Sequence, residues 1–465
     1  MNKLIELTLA LAIIGAALAF GGVQPLTYSL MEVVLFLAVL MLLLKQTWQG
    51  NIGLMLPAWP VLFALLCVLQ LIPLPSRFIV TLSPTRQLAP GLAGLSDGKW
   101  IWATLSISPH DTELALVKFL AYLSAFLIAA HLFDSGKRRN ALVRALIFLG
   151  CLEAAYGIIQ YLAGWQKIFT YTKKFNLEEA TGTYINPNHF AGLLELTLPF
   201  VLASGFYSFQ VWSERRQDEL NWRVPAERSS AGVRSVFYFY LTVIVVVAVT
   251  FSRSRGGILA TAFSIVFIVL LAQVKAERKT WMLGFFLVSL CIVGYGLWIG
   301  LDPVLARFEH LREPGYLQLE GRIAIWKDAS RLVRDHPLVG TGLGTFGTAF
   351  RRHQTVFVDG YVDHAHNDYF EIASDTGLLG AALLFLPILY LFFKMIMGFL
   401  NDTRRFRRSV TLGCIGSTLA LLIHSATDFN LQIPANALIF AVVLGIGYKA
   451  ACIELREQPE GEGRF

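Results

Sequence analysis

The sequence predicts an all-α, polytopic integral membrane protein, with about twelve transmembrane helices and one long periplasmic loop carrying short surface helices. Three observations carry that expectation. Only 15% of the 465 residues are charged and 55% are hydrophobic, against roughly a quarter charged in soluble domains. The apolar residues fall in runs of about 17 to 25, the length that crosses roughly 30 Å of hydrocarbon as a helix. Within each run they are continuous and not alternating, which points away from a barrel.

In chain order, spans are expected near 4–20, 26–44, 54–72, 113–133, 141–163, 188–209, 235–251, 256–273, 281–301, 377–399, 409–427 and 434–454. The first could pass for a signal peptide, but Glu6 interrupts it and a second apolar run follows directly, so an uncleaved helix is expected. Cationic clusters at Lys137–Arg139, Arg215–Arg234, Lys275–Lys279 and Arg404–Arg408 fall in alternate connections. Short loops of that kind stay in the cytoplasm, which sets both termini inside and the opposite loops outside. The net charge of +7 is thereby a matter of topology, and no clustered basic domain exists to bind nucleic acid. Four of the five cysteines sit inside spans and Cys452 at the end of the last, with no C-x-x-C pair, so neither a disulfide framework nor a zinc site is expected. The chain divides into helices 1 to 9 (1–301), a large periplasmic loop (302–376), and helices 10 to 12 with a cytoplasmic tail (377–465).

The polar residues gather in three outer segments, about 73–112, 164–187 and 302–376. That lopsidedness, with no internal repeat, suggests a site on one face and not a pore through the middle. Within the last segment, Ile325, Ala329, Leu332 and Val333 recur at helical spacing. They predict an amphipathic helix over 322–336, stopped by Pro337 and lying on the membrane or the protein. A formal G-x-G-x-x-G at Gly342, Gly344 and Gly347 lacks the βαβ unit a nucleotide fingerprint needs. It reads as a flexible turn between two surface helices.

Three constellations carry possible chemistry. In 364-HAHNDYFEIASDTGLLG-380, His364, His366 and Asp368 alternate and would point one way in extended backbone. A neutral histidine beside carboxylates suits proton abstraction from a hydroxyl. The plainer alternative is that Asn367 or Asp368 caps the next helix, and a metal site from Asp363, His364 and His366 is a third. In 251-FSRSRGGILA-260, Arg253 and Arg255 beside Ser252 and Ser254 offer clustered donors for a phosphate or diphosphate, with Arg322 as a further cation; a lone arginine there would simply snorkel. In 181-TGTYINPNHFAGLLE-195, Asn188, Gly192 and Glu195 share a helical face, with Glu195 two turns into the membrane, where ionisable groups usually face a cavity. Glu153 and Gln160 share a face of the preceding span and either line the same cavity or hydrogen-bond between helices.

These motifs resemble a known family. His366-Asn367, nine residues, then Gly377-x-x-Gly380 is similar to the H-N-x9-G-x-x-G signature of O-antigen ligases, and Arg255 with Leu259 to their R-x3-L signature. GTYINPNHFAG, the G-R-x3-W at Gly321, Arg322 and Trp326, and HPLVGTGLGTF look like the same superfamily, which also holds O-antigen polymerases and O-linked oligosaccharyltransferases. The resemblance covers roughly 180–400. It implies a metal-independent glycosyltransferase with no cofactor, in a bacterial inner membrane, acting at the periplasmic face on an undecaprenyl-diphosphate-linked glycan. By matching position, His366 would be the base and Arg255 and Arg322 would hold the leaving diphosphate; Arg253 and His364, which the two signatures do not fix, and Asn367, Asn188 and Glu195 are read beside them as substrate-binding. Lipid A-core is the favoured acceptor, ahead of a second lipid-linked glycan or a protein. Transport, with Glu153, Glu195 and His424 as intramembrane relays, and a structural scaffold are the other classes.

Overall fold

The computed structural model describes residues 1–50, 57–83, 102–132, 136–214, 226–274, 317–355 and 361–452. The span expected near 281–301, the Lys275–Lys279 cluster and Arg215–Arg223 lie outside the described residues. Every other expected span coincides with a helix: α1 (Asn2–Leu18), α2 (Pro25–Trp48), α3 (Ala58–Leu71), α5 (Pro109–Leu132), α6 (Gly136–Leu162), α7 (Pro187–Glu214), α8 (Ala226–Phe251), α9 (Arg255–Gln273), α12 (Asp368–Asn401), α13 (Arg405–His424) and α14 (Pro434–Cys452). Shorter helices are α4 (Ser76–Leu82), α10 (Leu317–Asp335) and α11 (Phe346–Phe350). Among the described residues, nine helices are long and apolar enough to cross a bilayer; α1 and α3, at 17 and 14 residues, are shorter.

Local chemistry sets the helix starts. α2, α5, α7 and α14 each begin at a proline, which is preorganised for a first helical position and lacks only an N–H that would be unpaired there. Ser254 caps α9, its Oγ accepting from Gly257 N at 3.2 Å. Asn367 caps α12, its Oδ1 accepting from Tyr369 N and Phe370 N at 3.0 and 3.1 Å.

α7 is the axis of the bundle: 94% of its apolar window is buried, against 28% for α2. It packs on α8, α9, α13 and α14. Small residues let these backbones close up, as expected where lipid removes the hydrophobic drive between helices. A Cβ on Gly413 would lie 2.5 Å from the Phe200 ring, and one on Gly416 would lie 2.2 Å from Ile268. Ser417 and Ser409 donate across the same seam to the Leu196 and Ala203 carbonyls, at 2.6 and 2.9 Å.

The described parts of the three polar segments lie at one end of the bundle. Two short antiparallel pairs brace them: β1 (Leu74–Pro75) with β2 (Trp102–Ala103), and β3 (Lys167–Ile168) with β4 (Tyr171–Thr172). Ser106 N donates to Gln70 O, Ile107 N to Thr341 O, Ala180 N to Phe251 O and Asp368 N to Ser425 O, at 2.8–2.9 Å. The amphipathic helix forms as α10 and ends at Asp335, ahead of Pro337. Its buried Ile325, Ala329 and Leu332 pack with Phe346, Phe350 and Val362, so it lies on the protein.

Two expectations about this end are corrected. The 340–347 turn is locked and not loose: Gly340, Gly342 and Gly344 all have positive φ, and a Cβ on Gly340 would lie 2.4 Å from the Asp375 backbone. It docks on a break in α12 at Gly377 (φ 68, ψ 178), where Leu378 N donates to Pro337 O at 2.8 Å and Gly344 N to Asp375 Oδ2 at 2.7 Å. The span expected from residue 377 is thus the second part of a helix that starts at Asp368. Glu153 and Gln160, secondly, follow the hydrogen-bonding alternative, but to a turn and not between helices. Glu153 accepts from Thr183 N and Oγ1 at 3.0 and 2.7 Å, and Gln160 donates to the Lys167 and Gly182 carbonyls at 2.9 Å. Both hold the 181–183 turn.

Candidate active site

Two segments from distant parts of the chain, 364–368 and 424–432, lie against each other at the polar end. Asn367 Nδ2 donates to Ala426 O at 2.8 Å, and Ser425 Oγ donates to Asp368 Oδ2 at 2.7 Å. Asp368 therefore points into this seam. The alternation expected of His364, His366 and Asp368 does not hold, because His366 takes a left-handed φ of 49, which breaks the extended run. That conformation is uncommon for a non-glycine residue, and Trp326 fixes it by donating from Nε1 to the Ala365 and His366 carbonyls at 3.0 and 3.3 Å.

Asp428 is the hub, buried at 1% exposure of its side chain. His366 Nδ1 lies 3.5 Å and His189 Nε2 3.8 Å from its Oδ1, Arg322 Nη2 lies 3.4 Å from Oδ2, and Asn188 Nδ2 donates to Oδ2. Burial alone would raise the Asp428 carboxyl, but the two imidazoles and the Arg322 guanidinium hold it well below the usual carboxylate range. It is a fixed anion at neutral pH. The His366 and His189 nitrogens facing it are buried without a hydrogen-bond partner, and contacts of that length tighten when a catalytic site fills.

The cations border the same turn. Arg322 Nη1 donates to Thr427 O at 2.6 Å. Arg255 opens α9 next to Gly256, whose Cβ would lie 2.5 Å from Thr427 Oγ1 and 2.8 Å from the His424 ring. The N-termini of α7, α9 and α12 all start in this patch and add partial positive charge. Arg253, with φ 54, turns elsewhere: its Nη1 pairs with Glu178 at 3.0 Å and its guanidinium sits 5.9 Å from the Tyr161 ring.

The expected face of α7 is real, and all of it meets the 424–430 segment. Asn188 reaches Asp428, Gly192 leaves room for Asn430, and Glu195 lies 3.0 Å from His424 Nδ1. His364 is placed apart from His366. Its Nδ1 pairs with Glu371 at 2.8 Å, and although burial opposes the charge, Glu371 raises the imidazole to about 9. His364 is thus a cation near neutral pH, whereas His366 stands beside an ionised carboxylate. The Phe429 ring lies between them, stacked on His364 (4.1 Å, 13°) and edge-on to His366 (5.0 Å, 71°) and His189 (4.7 Å, 75°). Among the described residues, no three His, Cys, Asp or Glu side chains gather as a metal site.

Asp428, His189 and Phe429 were not singled out from sequence. The available signal was an acid in the short polar connection between two apolar spans, facing the side that holds the other polar segments.

Residues 240–385 match a family model described as O-antigen ligase. No curated protein matches the chain. The matched stretch contains Arg255, Arg322 and His366, while Asn188, His189 and Asp428 come from outside it.

Proposed function

We propose that this chain, whose residues 240–385 match the O-antigen ligase family model, is a glycosyltransferase that moves a glycan from undecaprenyl diphosphate to an acceptor hydroxyl at the periplasmic face of an inner membrane. The observation that carries this reading is the convergence of His366, Arg322 and the α9 start on the turn that holds ionised Asp428. An ionised carboxylate facing His366 Nδ1 favours the tautomer with its proton there, which leaves Nε2 to take the acceptor proton. The freed oxygen attacks the anomeric carbon, the bond to the diphosphate oxygen breaks, and the leaving charge develops beside Arg255 and Arg322, fixed cations of the kind that stabilise such a departure. One displacement inverts the anomeric carbon. Retention of configuration between donor and product would refute it.

Lipid A-core is the acceptor that the paired signatures favour. A lipid-linked glycan, making the protein a polymerase, is the second reading, and the cavity beside His364 favours it. Both are separated by a gel of envelope polysaccharide from cells lacking the gene and complemented with wild type or His366→Ala. A ligase leaves the long ladder on the lipid carrier when His366 is lost; a polymerase leaves single repeats. A normal ladder in His366→Ala cells would sink the reading. Transfer is further expected to persist in EDTA, as metal-independent chemistry requires.

A further inference from the structure

Across the Phe429 ring from His366, a cavity of about 410 Å3 opens beside His364 and Glu371 and runs down between α2, α3, α5, α12 and α14. Its wall follows α5 from Asp111 to Phe126, a rise of about 22 Å at 1.5 Å per residue. The floor is apolar, with Phe126, Ile388, Phe440 and Leu444, whereas Asp111, Asp363, His364 and Gln432 stand at the mouth.

Between mouth and floor lies Lys118. Its ammonium sits 4.1 Å from the Tyr28 ring, with Glu32 on α2 as an opposing charge but no ion pair within 4 Å among the described residues. A cation lining an apolar shaft in a spanning helix calls for an anionic partner. Arg255, Arg322 and Asp428 do not line this shaft, and α9 packs on α7, α8 and α13. The shaft and the arginine patch therefore occupy different flanks of the bundle, with the histidine row between them.

We propose that the shaft is the acceptor site and takes a single-chain phosphoglycolipid, with its chain on the apolar floor, its phosphate at Lys118 and its first sugars at the mouth. This rests on the glycan-transfer reading with a lipid-linked glycan, and not lipid A-core, as the acceptor. The three tiers match the three parts of such a molecule in order. Carboxylates at the mouth suit sugar hydroxyls and repel a further phosphate there. The volume of about 410 Å3, within the range of about 300–1,000 Å3 that holds one small ligand, seats the phosphate-proximal part of a single chain, the remainder running out between the helices into lipid, and leaves no room for the several acyl chains of lipid A. In the reaction the acceptor oxygen bonds to the donor's anomeric carbon, His366 takes the acceptor proton, and the electron pair of the broken bond leaves with the diphosphate.

The test is native mass spectrometry of the full-length protein in nanodiscs, with undecaprenyl phosphate, phosphatidylglycerol and lipid A as separate probes. Two undecaprenyl phosphates are expected on the wild type, one lost in Lys118→Met and the other in Arg255→Ala. Lys118→Arg restores the first, and Ala441→Trp, which fills the shaft, excludes it. Undiminished occupancy in Lys118→Met overturns the proposal, as does loss of both lipids in Arg255→Ala. Lipid A or phosphatidylglycerol bound as tightly and with the same dependence on Lys118 overturns it too. Transfer is read separately: two bound lipids on a wild type that transfers nothing overturn the transfer reading and leave the lipid site standing.

Discussion

At the residue scale, Asp428 decides what the cluster can do. Its charge faces two imidazoles and a guanidinium inside the protein, and removing it leaves those groups without a counter-charge. Asp428→Asn is expected to keep the shape and to lower transfer about 100-fold or more, in the range of lost acid–base assistance; unchanged turnover in a donor–acceptor assay would remove Asp428 from the mechanism. His364 makes a different prediction, about pH and stability. Its folded value, about 9, lies above the unfolded one of about 6.5, so its contribution is fully present below pH 6.5 and disappears as pH rises through 9. The melting temperature should fall across that window in the wild type, and the fall should flatten in Glu371→Gln, measured on detergent-solubilised protein.

Residues were legible in the sequence where a short local pattern named them, as with His366, Arg255 and Arg322. His189 stood inside the quoted 181–195 stretch yet looked like an ordinary early helix residue. Asp428 is 240 positions from Asn188, and only the three-dimensional return of α13 brings them together. Asn367 shows the converse: its signature position is used to cap α12 and to hold Ala426, so a motif residue that invites a substrate role has a structural one.

At the element scale, α12 is the part the sequence described least well. Hydropathy marks where a helix becomes continuously apolar, here at Gly377, but hydrogen bonding begins it at Asp368 with buried polar side chains that no membrane scale favours. The glycine of the signature then has a steric reason: a Cβ there would lie 2.2 Å from Leu338 O, at a φ of 68. Gly377→Ala should therefore cost about 1–3 kcal/mol, as left-handed backbone strain does, with the clash added. A melting curve that matches the wild type would show that the break tolerates a side chain. The helix-rich architecture itself was plain, because run length and continuity are set by the solvent and need no tertiary information.

At the scale of the whole molecule, Gln70 ties the shortest of the spans to the longest polar segment. Its Nε2 donates to the Val339 and Asp375 carbonyls at 2.7 and 2.9 Å, and its Oε1 accepts from Leu343 N at 3.0 Å. Three hydrogen bonds at about 0.5–1.5 kcal/mol each make Gln70→Ala destabilising by about 1.5–4.5 kcal/mol. Chemical denaturation that gives less than the lower figure would mean that the polar cap is held by other contacts. No sequence pattern announces this glutamine, since a single amide inside an apolar run reads as noise until the far loop arrives.

The break at Gly377 also divides mechanical duties. Residues 368–376 belong to the polar cap through Ser425, Thr341 and Gly344, while 378–401 form an almost fully apolar rod with Pro387 inside it. Bilayers differ in thickness, and a long apolar helix answers by tilting. The break at Gly377 is clamped to the cap by Leu378 N donating to Pro337 O at 2.8 Å, so the rod enters the bilayer from a fixed point and its own direction is set there independently of the histidine loop, which Asp368 ties to Ser425.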